Sequence, residues 1–146
     1  MKKMNQLKKE RLESYERKLM MLSERREDVE RWCRGDIEEI KGNKLKRLAI
    51  YKAFQEAMEA AMDLCAMILK DIKVMVSDDY ENVVNLKERG VISDKIKDIL
   101  QEGNGLRNRL IHEYNKLDAG IALESARRIS KGLEDFEREI KKWLKS

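Results

Sequence analysis

The sequence contains no proline and a single histidine, and only 5% of its residues are aromatic. Runs that alternate between apolar and polar residues are also missing, which argues against a β-sheet fold and favours helices. A lone histidine without a cysteine cluster argues against a structural zinc site, because such sites need several Cys or His ligands. We therefore predict an all-α protein with no metal and no cofactor.

Cysteines and long apolar runs are equally scarce. Cys33 and Cys65 stand 32 positions apart without a Cys-x-x-Cys spacing, so we predict two buried free thiols in a reducing compartment. The most apolar run, residues 57–69, is interrupted by Glu59 and Asp63 and is too short to cross a bilayer. The amino terminus lacks the apolar core of a secretory signal. These features predict a cytoplasmic protein without a membrane partner.

The chain is 146 residues long, which suits one hydrophobic core, so we predict a single helical domain spanning residues 1–146. Charged residues make up 41% of the sequence, with 32 basic and 28 acidic side chains and a net charge of +4. Charges so evenly mixed do not by themselves indicate nucleic-acid binding. The function must therefore be sought in local motifs.

The first predicted helix, residues 5–32, carries a narrow apolar seam on a charged surface. A seam of this width predicts packing on one neighbouring helix. Its members are Leu12, Tyr15, Leu19, Leu22, Val29 and Cys33, with Arg26 in the one missing place.

The second predicted helix, residues 44–76, is apolar around most of its circumference between residues 57 and 69. Such a helix must be covered on several sides. Two explanations remain open: a central core helix, or a homodimer interface. The small residues that would allow close approach of a second copy are Ala57, Ala60, Ala61 and Ala66.

Three later segments carry signals for the start of a helix. Ser77-Asp78-Asp79 precedes a short helix that ends near Gly90, Ser93 precedes the next helix, and Asp118 precedes the last. The last helix has an unbroken apolar stripe through Ala122, Ala126, Ile129, Leu133, Phe136, Ile140 and Trp143. The whole pattern predicts an antiparallel four- to five-helix up-and-down bundle, which we expect to form a homodimer.

The only histidine lies in an unusual cluster of polar side chains. Arg107, Asn108, His112 and Tyr114 follow the pattern Arg-Asn-x-x-x-His-x-Tyr. On an ideal helix Asn108 and His112 share a face, whereas Arg107 is offset from His112 by about 140°. Arg107 and His112 could converge on one phosphate through a helix end near His112, a bend at the preceding glycines, or pairing of two copies.

These residue types suit acid–base chemistry on a phosphate ester. Histidine, with a pKa near ~6.5, can act as general base or general acid at neutral pH, so His112 is the candidate for proton transfer. Arg107 stays protonated and can hold a phosphate with its planar fork. Asn108 could orient His112 or bind phosphate, and Arg109 is either a solvated residue or an auxiliary phosphate contact. Tyr114 is protonated at neutral pH and is a poor base.

The motif, and the helix order over residues 45–144, resemble the HEPN superfamily (higher eukaryotes and prokaryotes nucleotide-binding). The likeness is strongest to the HepT-like toxins of the HEPN/minimal nucleotidyltransferase (MNT) toxin–antitoxin systems. This resemblance implies a type VII toxin, a metal-independent endoribonuclease whose catalytic Arg107 and His112 act in a composite cleft of a homodimer. It implies RNA as the substrate and a minimal nucleotidyltransferase antitoxin as the partner, which neutralises the toxin by adenylylating Tyr114. The alternative is a non-catalytic HEPN module that binds a nucleotide or a nucleotidyltransferase partner.

Overall fold

The chain folds into four long helices, with two short helices in the connections between them. The computed structural model describes residues 7–146. Its helices are α1 (Lys9–Trp32), α2 (Ile37–Gly42), α3 (Lys44–Asp71), α4 (Asp79–Glu88), α5 (Asp94–Glu113) and α6 (Ala119–Lys145), with a 3-10 turn over Tyr114–Lys116. The described residues contain no β-strand. The predicted all-α bundle is confirmed, and its four long members are α1, α3, α5 and α6.

Side-chain pairs between the long helices show that neighbours run antiparallel. For each pair of helices, a later residue in one helix pairs with an earlier residue in the other. The pairs are Arg11–Asp71 and Arg25–Glu56 for α1 and α3, Tyr15–Trp143 and Arg26–Glu137 for α1 and α6, and Ser93–Glu139 and Glu102–Arg128 for α5 and α6. Contact between α1 and α6 closes the bundle into an up-and-down arrangement.

The predicted apolar seam of α1 is buried, and it packs on two helices rather than one. Tyr15, Leu19, Leu22, Val29 and Cys33 are all buried, and Leu12 packs partly buried against the same core. Their neighbours lie on both α3 and α6. The predicted start of this helix falls at Asn5, outside the described residues, and α1 begins at Lys9.

The middle of α3 forms the centre of the core. Ala57, Ala60 and Ala61 are each at most 1% exposed in the single chain. Helices α1, α4, α5 and α6 all contact α3 and cover it. The core-helix explanation is therefore confirmed. The alternative, a homodimer interface, is wrong for these three alanines because the chain's own helices already occupy that surface; Ala66, the fourth alanine of that prediction, is only partly buried.

The end of α3 comes earlier than the sequence predicts. The helix stops at Asp71 rather than near Val76. Lys73 takes a left-handed backbone conformation with φ of 62°, and the Val74 N–H donates a hydrogen bond to the Leu69 carbonyl at 2.9 Å. This turn closes the helix, so the chain can reverse into the connection that leads to α4.

The predicted starts of α4, α5 and α6 are confirmed. The side chains of Asp78, Ser93 and Asp118 each accept a hydrogen bond from a backbone N–H in the first turn of the helix that follows. None of the helices within residues 9–145 combines the length and apolar character that crossing a membrane requires.

Helix α5 continues without interruption through Gly103 and Gly105, so these glycines do not break it before the histidine motif. A Cβ atom on Gly103 would lie 2.6 Å from the Met58 Sδ and 3.1 Å from the Ile129 Cγ2. Glycine at this position therefore allows α5 to pack closely against α3 and α6. Gly105 faces open space instead.

Candidate functional site

The residues of the histidine motif lie at the carboxyl-terminal end of α5 and in the turn that follows. Arg107, Asn108 and His112 belong to the last turns of α5, and Tyr114 begins the 3-10 turn. Regular helical geometry ends at Glu113, where φ is −149° and ψ is 34°. Of the three arrangements considered for the motif, a helix end directly after His112 is therefore present.

Arg107 faces α4 and is mostly buried. Its side chain is 16% exposed, and its Nη2 lies 3.4 Å from the Asp79 Oδ2. That contact is long, and the Arg107 Nε is buried without a hydrogen-bond partner among residues 7–146. A buried donor without an acceptor is costly and calls for an explanation, such as a ligand that supplies the acceptor. The guanidinium therefore keeps unused capacity to bind an anion.

His112 and Asn108 are exposed to solvent on a different side of α5. The helix stays regular up to His112, so its five-residue spacing from Arg107 leaves the two side chains about 140° apart around the axis. The structure thus brings Asn108 and His112 to one face. It does not bring Arg107 and His112 together within one chain.

Arg109 and Glu113 form an exposed pair on the same helix. The Arg109 Nε lies 3.3 Å from the Glu113 Oε1. An exposed pair four residues apart contributes only about 0.3–0.5 kcal/mol, so it holds Arg109 weakly. A solvated Arg109 and an auxiliary phosphate contact are both compatible with this geometry, and the second stays a prediction.

Tyr114 is 48% exposed and borders a cavity of about 290 Å³ at the same end of the bundle. The cavity lies between the first turns of α3, the 3-10 turn and the start of α6. The sequence did not single out the residues that line it.

Asp79 is a second residue that sequence reasoning missed, because Asp78 and Asp79 together look like one helix-start signal. The structure separates them: Asp78 caps α4, and Asp79 is the first helical residue and pairs with Arg107. One acidic residue is enough to cap a helix. The second consecutive aspartate was therefore the signal in the sequence that could have indicated a separate role for Asp79.

The two cysteines are not part of the histidine motif. Both are free and buried, as predicted. Burial raises the pKa of the Cys33 thiol to about 11 and also raises the pKa of Cys65, so both thiols are protonated at neutral pH. Residues 7–146 contain no group of His, Cys, Asp and Glu side chains arranged to hold a metal ion.

The chain matches the family model described as ribonuclease HepT-like over residues 22–142. It belongs to the ribonuclease HepT-like family. The match begins within α1, so the HepT-like region extends further toward the amino terminus than the start near Leu45 predicted from sequence.

Sequence relatives and solved structures agree with this assignment. Two Archaeoglobus fulgidus proteins, each named "Putative RNase", are 40% identical over 84 residues and 37% identical over 95 residues. The first match covers 58% of this chain and 64% of the relative, and the second covers 65% and 72%. The matched part of this HepT-like chain thus spans less than two thirds of the first relative.

A solved structure of the tri-AMPylated Shewanella oneidensis HEPN toxin in complex with MNT antitoxin superposes with a TM-score of 0.80 at 19% identity. The superposition covers 88% of this chain and 96% of that one. It shows that the HepT-like chain shares the HEPN toxin fold.

Proposed function

We propose that this HepT-like protein is the toxin of a type VII toxin–antitoxin system and a metal-independent endoribonuclease that acts as a cytoplasmic homodimer. One observation carries the proposal. Arg107 has an unused buried donor on one side of α5, while His112 is exposed on another side. A second copy could complete the site by setting an arginine and a histidine of different chains on the same phosphate.

Exposed apolar residues near Arg107 support such pairing. Ile111, one turn after Arg107 on α5, is 49% exposed, and Tyr80, which follows the Arg107 partner Asp79, is 60% exposed. Val76 and Met75 extend the apolar surface just before α4. Apolar side chains grouped in this way favour burial against another protein surface. A dimer formed here would bury them and enclose Arg107.

The proposed reaction needs only groups of the protein and the RNA. One His112 removes the proton of the 2′-hydroxyl, and the 2′-oxygen attacks the neighbouring phosphorus. The bond between phosphorus and the 5′-oxygen breaks, and a second His112 protonates that oxygen. The products are a 2′,3′-cyclic phosphate and a 5′-hydroxyl. Arg107 would stabilise the charge on the phosphate oxygens, and Asn108, on the face of His112, would orient it.

The proposed partner is a minimal nucleotidyltransferase antitoxin that modifies Tyr114. The Tyr114 hydroxyl would form a bond to the α-phosphate of ATP, releasing pyrophosphate and the hydroxyl proton. Exposure of Tyr114 makes this chemistry sterically accessible. The tri-AMPylated HEPN toxin described above supports the idea. A nucleotide on Tyr114 would add negative charge close to where the RNA phosphate binds, which gives inhibition a physical cause.

The test is cleavage of a mixed RNA by purified, unmodified protein in excess EDTA. We expect wild type to leave 2′,3′-cyclic phosphate ends and His112→Ala to cleave about 10²–10⁴-fold more slowly. Lys95→Ala is the matched control, since Lys95 is an exposed cation on the same helix. Light scattering checks that His112→Ala keeps the oligomeric state of wild type.

Absence of cleavage by wild type, once mass spectrometry has excluded a modified Tyr114, would contradict the ribonuclease. Binding of a nucleotide or a nucleotidyltransferase by that inactive protein would favour the non-catalytic module instead.

A further inference from the structure

The cavity beside Tyr114 is built mainly from side chains that donate hydrogen bonds. It measures about 290 Å³. Its lining residues are Lys44, Arg47, Leu48, Tyr51, Tyr114, Asn115, Leu117 and Ala119. Within residues 7–146, no carboxylate side chain lines it. The chemistry of this lining favours an anionic ligand with several oxygen acceptors.

Tyr51 is the unusual member of the lining. It is only 4% exposed, yet its side chain contributes to the cavity wall. None of the hydrogen bonds among residues 7–146 involves its hydroxyl. Burial is the main cause that raises the pKa of this hydroxyl; the charge of Asp118 also raises it, whereas the charge of Arg47 lowers it. A buried hydroxyl that stays protonated can donate a hydrogen bond to a ligand.

Two cations of the cavity lining lie on the first turns of α3. Lys44 is exposed, and Arg47 is partly buried. The Arg47 Nη1 donates to the Lys41 carbonyl at 2.5 Å, which anchors the guanidinium and leaves its other donors free for a ligand. The acidic group whose charge acts on Tyr51 is Asp118, and its Oδ1 already accepts a hydrogen bond from the Ile121 N–H as the cap of α6.

We propose that Lys44, Arg47 and Tyr51 form a nucleotide-phosphate subsite next to Tyr114. Arg47 and Lys44 neutralise the phosphate charge, and the Tyr51 hydroxyl donates to one of its oxygens. The phosphate belongs either to an RNA strand extending from the cleavage site or to the nucleotide carried by Tyr114. Both sources rest on the proposed function, and both present the same group to the cavity.

The test measures binding rather than cleavage. Its two probes are a short 2′-O-methyl RNA, which cannot be cleaved through a 2′-hydroxyl, and adenosine 5′-monophosphate. The variants are the double substitution Lys44→Ala with Arg47→Ala, and Tyr51→Phe, which removes only the hydroxyl. The matched control, Lys141→Ala with Lys145→Ala, removes the same charge near the far end of α6, roughly 35 Å away along the helix.

We expect the double variant to weaken binding of at least one probe about tenfold or more. Tyr51→Phe should weaken the same probe about two- to fivefold, and the control less than twofold. Loss of RNA binding alone assigns the subsite to the RNA strand. Loss of adenosine monophosphate binding alone assigns it to the nucleotide on Tyr114. Loss of both supports a phosphate subsite shared by the two.

Unchanged binding of both probes, or an equal loss in the control, would overturn the subsite. The result is separate from the ribonuclease test. A protein that binds through these residues but cleaves nothing contradicts only the proposed catalysis. A protein that cleaves RNA with unchanged binding contradicts only the subsite.

Discussion

Arg26 and Arg107 are both largely buried arginines, but their surroundings differ. The Arg26 side chain is 8% exposed, and its Nε lies 2.5 Å from the Glu137 Oε2. Its other nitrogens donate to Glu30 at 2.9 Å and to Ser23 at 3.3 Å. Arg107 is 16% exposed and has one contact of 3.4 Å, to Asp79. Its Nε has no partner among residues 7–146.

The difference separates an arginine that serves the fold from one that is available to a ligand. Arg26 donates hydrogen bonds to groups of its own chain, and its contact with Glu137 joins α1 to α6. A buried charge is tolerated there because carboxylates and a hydroxyl satisfy it. Arg107 is held in place without being satisfied, which is the condition expected of a residue that binds phosphate.

The largest effect should come from truncating the two arginines. Arg26→Ala should lower the free energy of unfolding by about 3–5 kcal/mol, because Glu137, itself 3% exposed, would keep a buried charge without its partner. Arg107→Ala should change that free energy by less than about 1 kcal/mol, since an under-satisfied guanidinium stabilises little. RNA cleavage by Arg107→Ala should instead fall about 10²–10³-fold. Urea unfolding and the cleavage assay in EDTA measure the two quantities.

A double variant serves as the control for Arg26. Replacing both members by apolar residues of similar size, Arg26→Met with Glu137→Leu, should recover much of the stability, because no buried charge is left unpaired. Equal losses of stability for Arg26→Ala and Arg107→Ala would remove the distinction between the two sites.

Neutralising the acidic partners of the two arginines should also lower the free energy of unfolding more at the Arg26 site than at the Arg107 site. The difference should be smaller than the one between the two arginine truncations. Glu137→Gln should cost about 1–3 kcal/mol of unfolding free energy, less than Arg26→Ala, because Arg26 keeps Glu30 as a partner. Asp79→Asn should cost less than about 0.5 kcal/mol, since the contact it loses is long and half exposed. Thermal unfolding of both variants measures the difference. A larger loss for Asp79→Asn would mean that Arg107 also serves the fold.

A further contrast concerns the two sides of α5 just before Arg107. Gly103→Ala should destabilise the protein by about 1–3 kcal/mol, because the added methyl group would meet Met58 and Ile129. Gly105→Ala should stabilise it by about 0.5–1 kcal/mol, since the position is helical and open. Melting temperatures in opposite directions are the expected readout. Stabilisation by both substitutions would show that α5 does not need its close approach to α3 and α6.

Local signals in the sequence predicted most of the helix starts and faces. Asp78, Ser93 and Asp118 cap helices as their positions indicated, because a cap acts on the backbone within the next turn. The end of α3 could not be predicted in the same way. It depends on the left-handed conformation of Lys73, a residue type with no preference for that region.

The surface that covers the apolar face of α3 could not be predicted from local sequence signals either. Spacing shows that Ala57, Ala60 and Ala61 need a neighbour but not which surface supplies it, so a homodimer interface and a core helix looked alike. The answer came from α1, α4, α5 and α6, which contact α3 within one chain.

The sequence by itself determined that this protein is helical and that Arg107 and His112 cannot share a face of one unbroken, straight helix. Helical spacing dictates those features wherever the helix is packed. Only the tertiary structure decided that Arg107 meets Asp79 and that its Nε finds no partner within residues 7–146. It alone also set Lys44, Arg47 and Tyr51 around the cavity beside Tyr114. These relations join residues far apart in the chain, and they exist only once the helices have packed.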